Sequence, residues 1–214
     1  MLTIHSLPYR EGPQSALHFS LGQRQKIWKE TSRNDENNQQ AHQQDNEVIM
    51  SEFLWALAII FQIEGGWTEI DGGTNYGITA ATLKRANERG IVWTQGIRNI
   101  SKREAAVIYY KMYWQPSRAG KYPYPLNLVI FDAAVHASPR KAKELLHEAI
   151  RNTSSLTPRG IARQYVLERY RHLQTLKNFP KYKKGWSRRM QIIMNHVNSR
   201  QRKISRVMKH AEAA

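Results

Sequence analysis

From Met50 to Val207 apolar residues recur at helical spacing in one segment after another, whereas before Met50 they scarcely recur. Thr31 to Asn46 is almost wholly polar, with Ala41 its one apolar residue. Such a stretch buries too little surface to offset the entropy of ordering, which predicts disorder. Leu17 to Trp28 predicts at most a short helix. Ser51 then stands as an N-cap ahead of Phe53, Leu54, Trp55, Leu57, Ala58 and Phe61, a largely buried helix that delivers Glu64 at its end, where Gly65 and Gly66 stop it. Thr68 to Thr79 carries Asp71-Gly72-Gly73 and Tyr76-Gly77, the signals of a tight turn or small β-hairpin.

Further helices are predicted over Ala80–Arg89, closed by Gly90, and over Ser101–Trp114, opened by the capping box Ser101-x-x-Glu104. Tyr122-Pro123-Tyr124-Pro125 reads as an extended breaker. Leu126–Ala137 is an apolar run for the core, and Pro139–Ile150 an amphipathic helix. Another helix opens at Thr157-Pro158 and runs to about Leu176. Phe179-Pro180 to Gly185 reads as a basic loop, and a last helix starts near Trp186. The fold class is therefore mainly α, with one small β element beside Glu64.

Composition narrows the chemistry. The 214 residues contain no cysteine, which excludes disulfides, thiolate metal sites and a cysteine nucleophile. The formal charge is +16, yet residues 1–49 hold five basic and six acidic side chains, so the excess lies on residues 50–214. From Arg171 onward twelve Lys and Arg face a single acid, Glu212. Such a field favours polyanionic partners: nucleic acid, anionic lipid or a carboxylate- and phosphate-rich cell envelope. The longest apolar run, Phe53–Phe61, is too short to span a bilayer, and Met1–Glu30 lacks the pattern of a signal peptide. No His-Glu-x-x-His or phosphate-binding loop occurs, so neither metal nor cofactor is expected.

Glu64 is the candidate for chemistry. Glycoside hydrolysis needs a carboxylic acid that donates a proton to the leaving oxygen, and apolar walls favour the protonated form. Phe61, Ile63 and Trp67 flank Glu64, and its glycines allow a polymer close approach. Asp71 is the nearest second carboxylate. A Glu before two glycines is equally the ordinary end of a solvated helix, and Asp71-Gly72-Gly73 an ordinary turn. On the residues alone, both readings stay open.

The ordered blocks Ile63-Glu64-Gly65-Gly66-Trp67 and Asp71-Gly72-Gly73-Thr74-Asn75-Tyr76-Gly77-Ile78-Thr79 resemble the signature of glycoside hydrolase family 108, lysozyme-like N-acetylmuramidases found as phage endolysins and secretion activator proteins. Glu104–Trp114, Phe131–Val135 and Phe179–Arg189 resemble its later blocks, the last two its peptidoglycan-binding portion. The spacer Thr68-Glu69-Ile70-Asp71 is shorter than the family's usual one. The resemblance implies a lysozyme-like helical fold with a hairpin after the catalytic Glu. It implies cleavage of the β-1,4 bond between N-acetylmuramic acid and N-acetylglucosamine, with Glu64 catalytic and Asp71 and Thr79 as the catalytic groups of the hairpin. On the chemistry of the residues themselves, Gly65, Gly66, Trp67, Asn75, Tyr76 and Trp114 are the candidates for contacting substrate, although an aromatic spaced like Trp114 is more often a core residue. With the polar N-terminal segment and the basic C-terminal cluster, three parts are expected: a disordered extension over 1–49, and, as the resemblance implies, a catalytic portion over 50–125 and a peptidoglycan-binding-like portion over 126–214, which ends in a basic helix. Met50-Ser51-Glu52-Phe53 looks like the family's usual beginning. The expected partner is bacterial peptidoglycan, reached from the cytoplasm through a holin or secretion system, with anionic membrane contact through the basic helix; nucleic acid is not expected. The rival readings are an inactive peptidoglycan-binding protein and a basic helical membrane- or nucleic-acid-binding protein.

Overall fold

The computed structural model describes the backbone of residues 21–65 and 73–199, with side chains from Gln43 onward in those spans. The chain divides into two compact units, Met1–Glu47 and Val48–Ala214. In the first, the described residues are helical and belong to α1, which spans Leu21–Glu64. Thr31–Asn46, expected to be disordered, is thus helical; lengthening an existing helix adds one hydrogen bond per residue fixed and needs no new nucleus. Everything below concerns the second unit.

Here Ser51 caps no helix start. It lies inside α1 and donates its hydroxyl to the Val48 carbonyl at 2.8 Å, the back-bonding available to a mid-helix serine. By length and composition Gln43–Glu64 could cross a membrane, although the run Phe53–Phe61 is too short by itself. Phe53, Ala56, Leu57, Ile59 and Ile60 are buried, so one face of this stretch packs on the core, while Val48, Met50, Leu54 and Trp55 are exposed.

The hairpin is minimal: β1 (Thr74–Asn75) pairs antiparallel with β2 (Ile78–Thr79), Thr74 facing Thr79 and Asn75 facing Ile78. Its two-residue loop, Tyr76-Gly77, has positive φ at both positions (50° and 74°), the backbone that matches the twist of paired strands. Next come α2 (Ala80–Glu88) and α3 (Lys102–Tyr109). The capping box of α3 forms as its sequence predicts: Ser101 Oγ accepts from the Glu104 amide, and Glu104 Oε2 accepts from the Ser101 amide. A π-helical turn, Tyr110–Trp114, carries α3 into the short α4 (Gln115–Ser117).

At the centre lies α5 (Leu126–His136), every residue of which from Leu126 to Ala134 is buried. It packs against α6 (Pro139–Asn152) and α7 (Pro158–Gln174), which in turn meets α8 (Phe179–Asn198). Burying each such Leu, Ile or Phe side chain contributes about 1.5–3 kcal/mol. The segment Phe179–Gly185, expected to be a loop, opens α8 instead. Its Pro180 sits in the first helical turn, where a missing N–H costs nothing. Among the described residues the architecture is mainly α with one two-stranded sheet, as the sequence indicates.

Candidate active site

Glu64 is the last residue of α1. Gly65, at φ 79°, ends the helix and returns its N–H to the Phe61 carbonyl at 3.2 Å. The hairpin loop closes over the base of the Glu64 side chain. A Cβ added to Gly77 would lie 2.7 Å from Glu64 Cβ, 2.9 Å from its Cγ and 2.5 Å from the Tyr109 hydroxyl, so only glycine fits. Tyr109, buried on α3, donates its hydroxyl to the Tyr76 carbonyl at 3.2 Å and fastens the loop. Burial, followed by the negative charge of Glu64, pushes the Tyr109 phenol well above its usual value, so it remains a donor. Phe61 completes the wall, with ring centroids 5.7 Å from Tyr109 and 5.9 Å from Tyr76.

Arg189, on α8, approaches from the other side. Its Nη1 donates to Glu64 Oε1 at 2.6 Å. The same guanidinium donates through Nε to Asp132 Oδ1 at 3.0 Å, and its Nη2 lies 2.7 Å from that oxygen without the alignment of a hydrogen bond. Arg169, on α7, is ion-paired with the other Asp132 oxygen. The order is therefore Arg169–Asp132–Arg189–Glu64, joining α7, α5, α8 and the end of α1. Burial opposes the Asp132 charge, but Arg169 and Arg189 outweigh it and hold the carboxyl below its ordinary range. Burial likewise works against the Arg189 charge, and Asp132 with Glu64 more than offsets it. His136, one turn beyond Asp132, is held down to about 4 by burial and then by the charges of Arg169 and Arg189.

The sequence candidates separate on this geometry. Glu64 is 23% exposed at the side chain, the one member of the ionic chain with substantial access to solvent. Gly65 follows it directly, and Tyr76 precedes the Gly77 that packs against its side chain. Asn75 donates to the Ile97 carbonyl at 3.5 Å and so ties the hairpin to the following 3₁₀ turn, Ile97–Asn99. Thr79 caps α2: its Oγ1 accepts from the Thr82 amide at 3.1 Å. Trp114 is corrected to a core residue. It is 2% exposed, with its ring edge-on to Phe53 at 5.5 Å and to Phe131 at 5.2 Å, and offers no face to a sugar. Gly66, Trp67 and Asp71 lie outside the described residues. Among the described residues no His, Cys, Asp or Glu cluster could hold a metal ion.

Sequence reasoning passed over Gly77, Tyr109, Asp132, Arg169 and Arg189. Asp132 carried a signal, because a single acid inside the apolar run Leu126–Ala137 must find a cation if it is buried.

Comparison with known proteins bears on the same residues. The profile of the family described as Glycosyl hydrolase 108 matches residues 57–137, a span that begins seven residues before Glu64 and takes in Gly77, Tyr109 and Asp132. The resemblance read from the sequence is thereby borne out over residues 57–137. No curated protein matches the chain. Among solved structures, SagA of Brucella abortus has a similar fold, with a TM-score of 0.61 and 23% identity, covering 72% of this chain and 98% of that one.

Proposed function

We propose that this chain, whose residues 57–137 are a glycosyl hydrolase 108 segment, hydrolyses bacterial peptidoglycan as an N-acetylmuramidase with Glu64 as the general acid. The observation that carries the reading is the setting of Glu64: a partly exposed carboxyl at a helix end, backed by Tyr109 and by a glycine hairpin, inside the matched segment. In its acid form Glu64 donates a proton to the glycosidic oxygen while the bond from that oxygen to the anomeric carbon breaks. Asp71 is the proposed second group. A carboxyl separation of about 5 Å gives retention of configuration, and about 6.5–9.5 Å gives inversion. In this reading the protein is made in the cytoplasm, leaves it through a holin or secretion partner, and is held at the anionic envelope by Arg200, Arg202, Lys203 and Arg206.

The test is a zymogram on purified murein with wild type and Glu64→Gln, followed by analysis of the sugar ends. Wild type is expected to clear and to leave reducing N-acetylmuramic acid ends, whereas Glu64→Gln loses at least about 100-fold in rate. Equal clearing by both removes Glu64 from the mechanism. Anhydro ends assign a lytic transglycosylase instead. If neither protein clears yet both sediment with sacculi, the chain is a murein-binding protein.

A further inference from the structure

Arg189 lies 125 residues from Glu64, beyond the matched segment, and it reaches the Glu64 carboxyl with one nitrogen while Asp132 holds the rest of its guanidinium. The anchor is firm. Asp132 is fully buried and shared with Arg169, and Arg189 itself is only 8% exposed at the side chain. A planar guanidinium spanning two carboxylates fixes their relative orientation, which a flexible ammonium cannot do.

We infer that Arg189 is a positioning residue for the proton transfer: it occupies Glu64 Oε1, leaves Oε2 to carry the proton, and stabilises the carboxylate that forms as the proton departs. The inference rests on the reading of Glu64 as the acid. In the acid form Oε1 is the carbonyl oxygen and still accepts from Arg189 Nη1, so the O–H belongs to Oε2. When that proton passes to the glycosidic oxygen, the electron pair of the O–H bond stays on Glu64. The electron pair of the breaking glycosidic bond goes to the leaving oxygen, which gains the proton. The negative charge thus develops 2.6 Å from a fixed cation. This interaction is stronger in the transition state than with bound substrate, so it acts on kcat and hardly on KM. The helices α5, α7 and α8 belong to the catalytic machinery on this account, because they hold the guanidinium still.

Two variants and one spectrum test it. Arg189→Gln removes the charge, and Arg189→Lys keeps it without the fork. With folded fractions checked by thermal melting, kcat is expected to fall about 100-fold in Arg189→Gln and about tenfold in Arg189→Lys, with KM within about twofold of wild type. A loss confined to KM, or an unchanged kcat in folded Arg189→Gln, overturns the inference. Where the variants do not fold, ¹⁵N NMR of the Arg189 guanidinium in wild type and in Glu64→Gln decides. Asp132 holds the Nε edge in both proteins, so a change of shift confined to Nη1 in Glu64→Gln supports the pair, and an unchanged Nη1 overturns it. A wild type that shows the pair but hydrolyses no murein instead defeats the muramidase reading, and the positioning role falls with it.

Discussion

The end of α1 and the middle of α5 each place one carboxylate against Arg189, and the two are put to different use. Asp132, on α5, has no solvent access and two guanidinium partners. Among the described residues Glu64 has one ionic partner, and it keeps about a quarter of its side-chain surface open. A carboxylate enclosed by two cations is neutralised, hydrogen-bonded and unable to meet a polymer. One held on a single side stays open to a polymer. Burial and partner number therefore separate a structural acid from the proposed chemical one more sharply than residue type does, and each acid predicts its own failure when changed.

The largest effect on stability belongs to Asp132. Asp132→Asn leaves Arg169 and Arg189 buried beside a neutral amide, and removing one partner of a buried pair costs about 3–5 kcal/mol. Glu64→Gln, which removes a partly exposed partner of the same arginine, is expected to cost no more than about 1 kcal/mol. Urea unfolding of both variants measures the contrast. Equal costs would mean that the two carboxylates do the same structural work and that the distinction between them fails.

Acid separates the same groups more gently. His136 is held down to about 4 in the folded protein, first by burial and then by Arg169 and Arg189, whereas an unfolded histidine takes up its proton near pH 6.5. Below that value the unfolded chain binds a proton that the folded chain refuses. Stability is thus complete above about pH 6.5 and declines toward pH 4, by no more than about 3 kcal/mol from this residue. His172 and His196 are lowered by burial as well and add to the same slope. Asp132 acts in a lower window: its depressed carboxyl contributes stability above the unfolded value near pH 3.9 and loses that contribution only below it. Melting His136→Asn against wild type from pH 7 to pH 4 isolates the first effect, and curves that stay parallel would show that His136 is as readily protonated folded as unfolded.

These particulars show which parts of the molecule could be read from sequence. The exit of α1 at Gly65, the capping box at Ser101 and Glu104, the Thr157 cap of α7 and the buried run of α5 all depend on residues within a few positions of one another, and they fall where the pattern puts them. The ionic chain does not: its links join residues 37, 57 and 125 positions apart, a matter of tertiary packing. Trp114 lies in the core between Phe53 and Phe131, where an aromatic at helical spacing more often sits than at a binding face. The start of α8 was hidden by Pro180 and Gly185, read as breakers when one occupies the first turn and the other is tolerated inside the helix.

The smallest effect concerns Thr79, which the family resemblance makes catalytic and the structure makes a cap. Its oxygen already accepts from the Thr82 amide and lies 3.0 Å from the Thr82 hydroxyl, inside the first turn of α2. Loss of a side-chain cap costs about 1 kcal/mol, which in a protein of this size lowers Tm by about 2–4 °C. Thr79→Ala should therefore melt slightly earlier and keep its rate on murein per folded molecule, while Thr79→Ser should match wild type in both. If Thr79→Ala instead loses tenfold or more in rate at an unchanged Tm, the hydroxyl belongs to the chemistry, and the hairpin supplies the reaction with a second group besides the glycine that admits Glu64 beneath it.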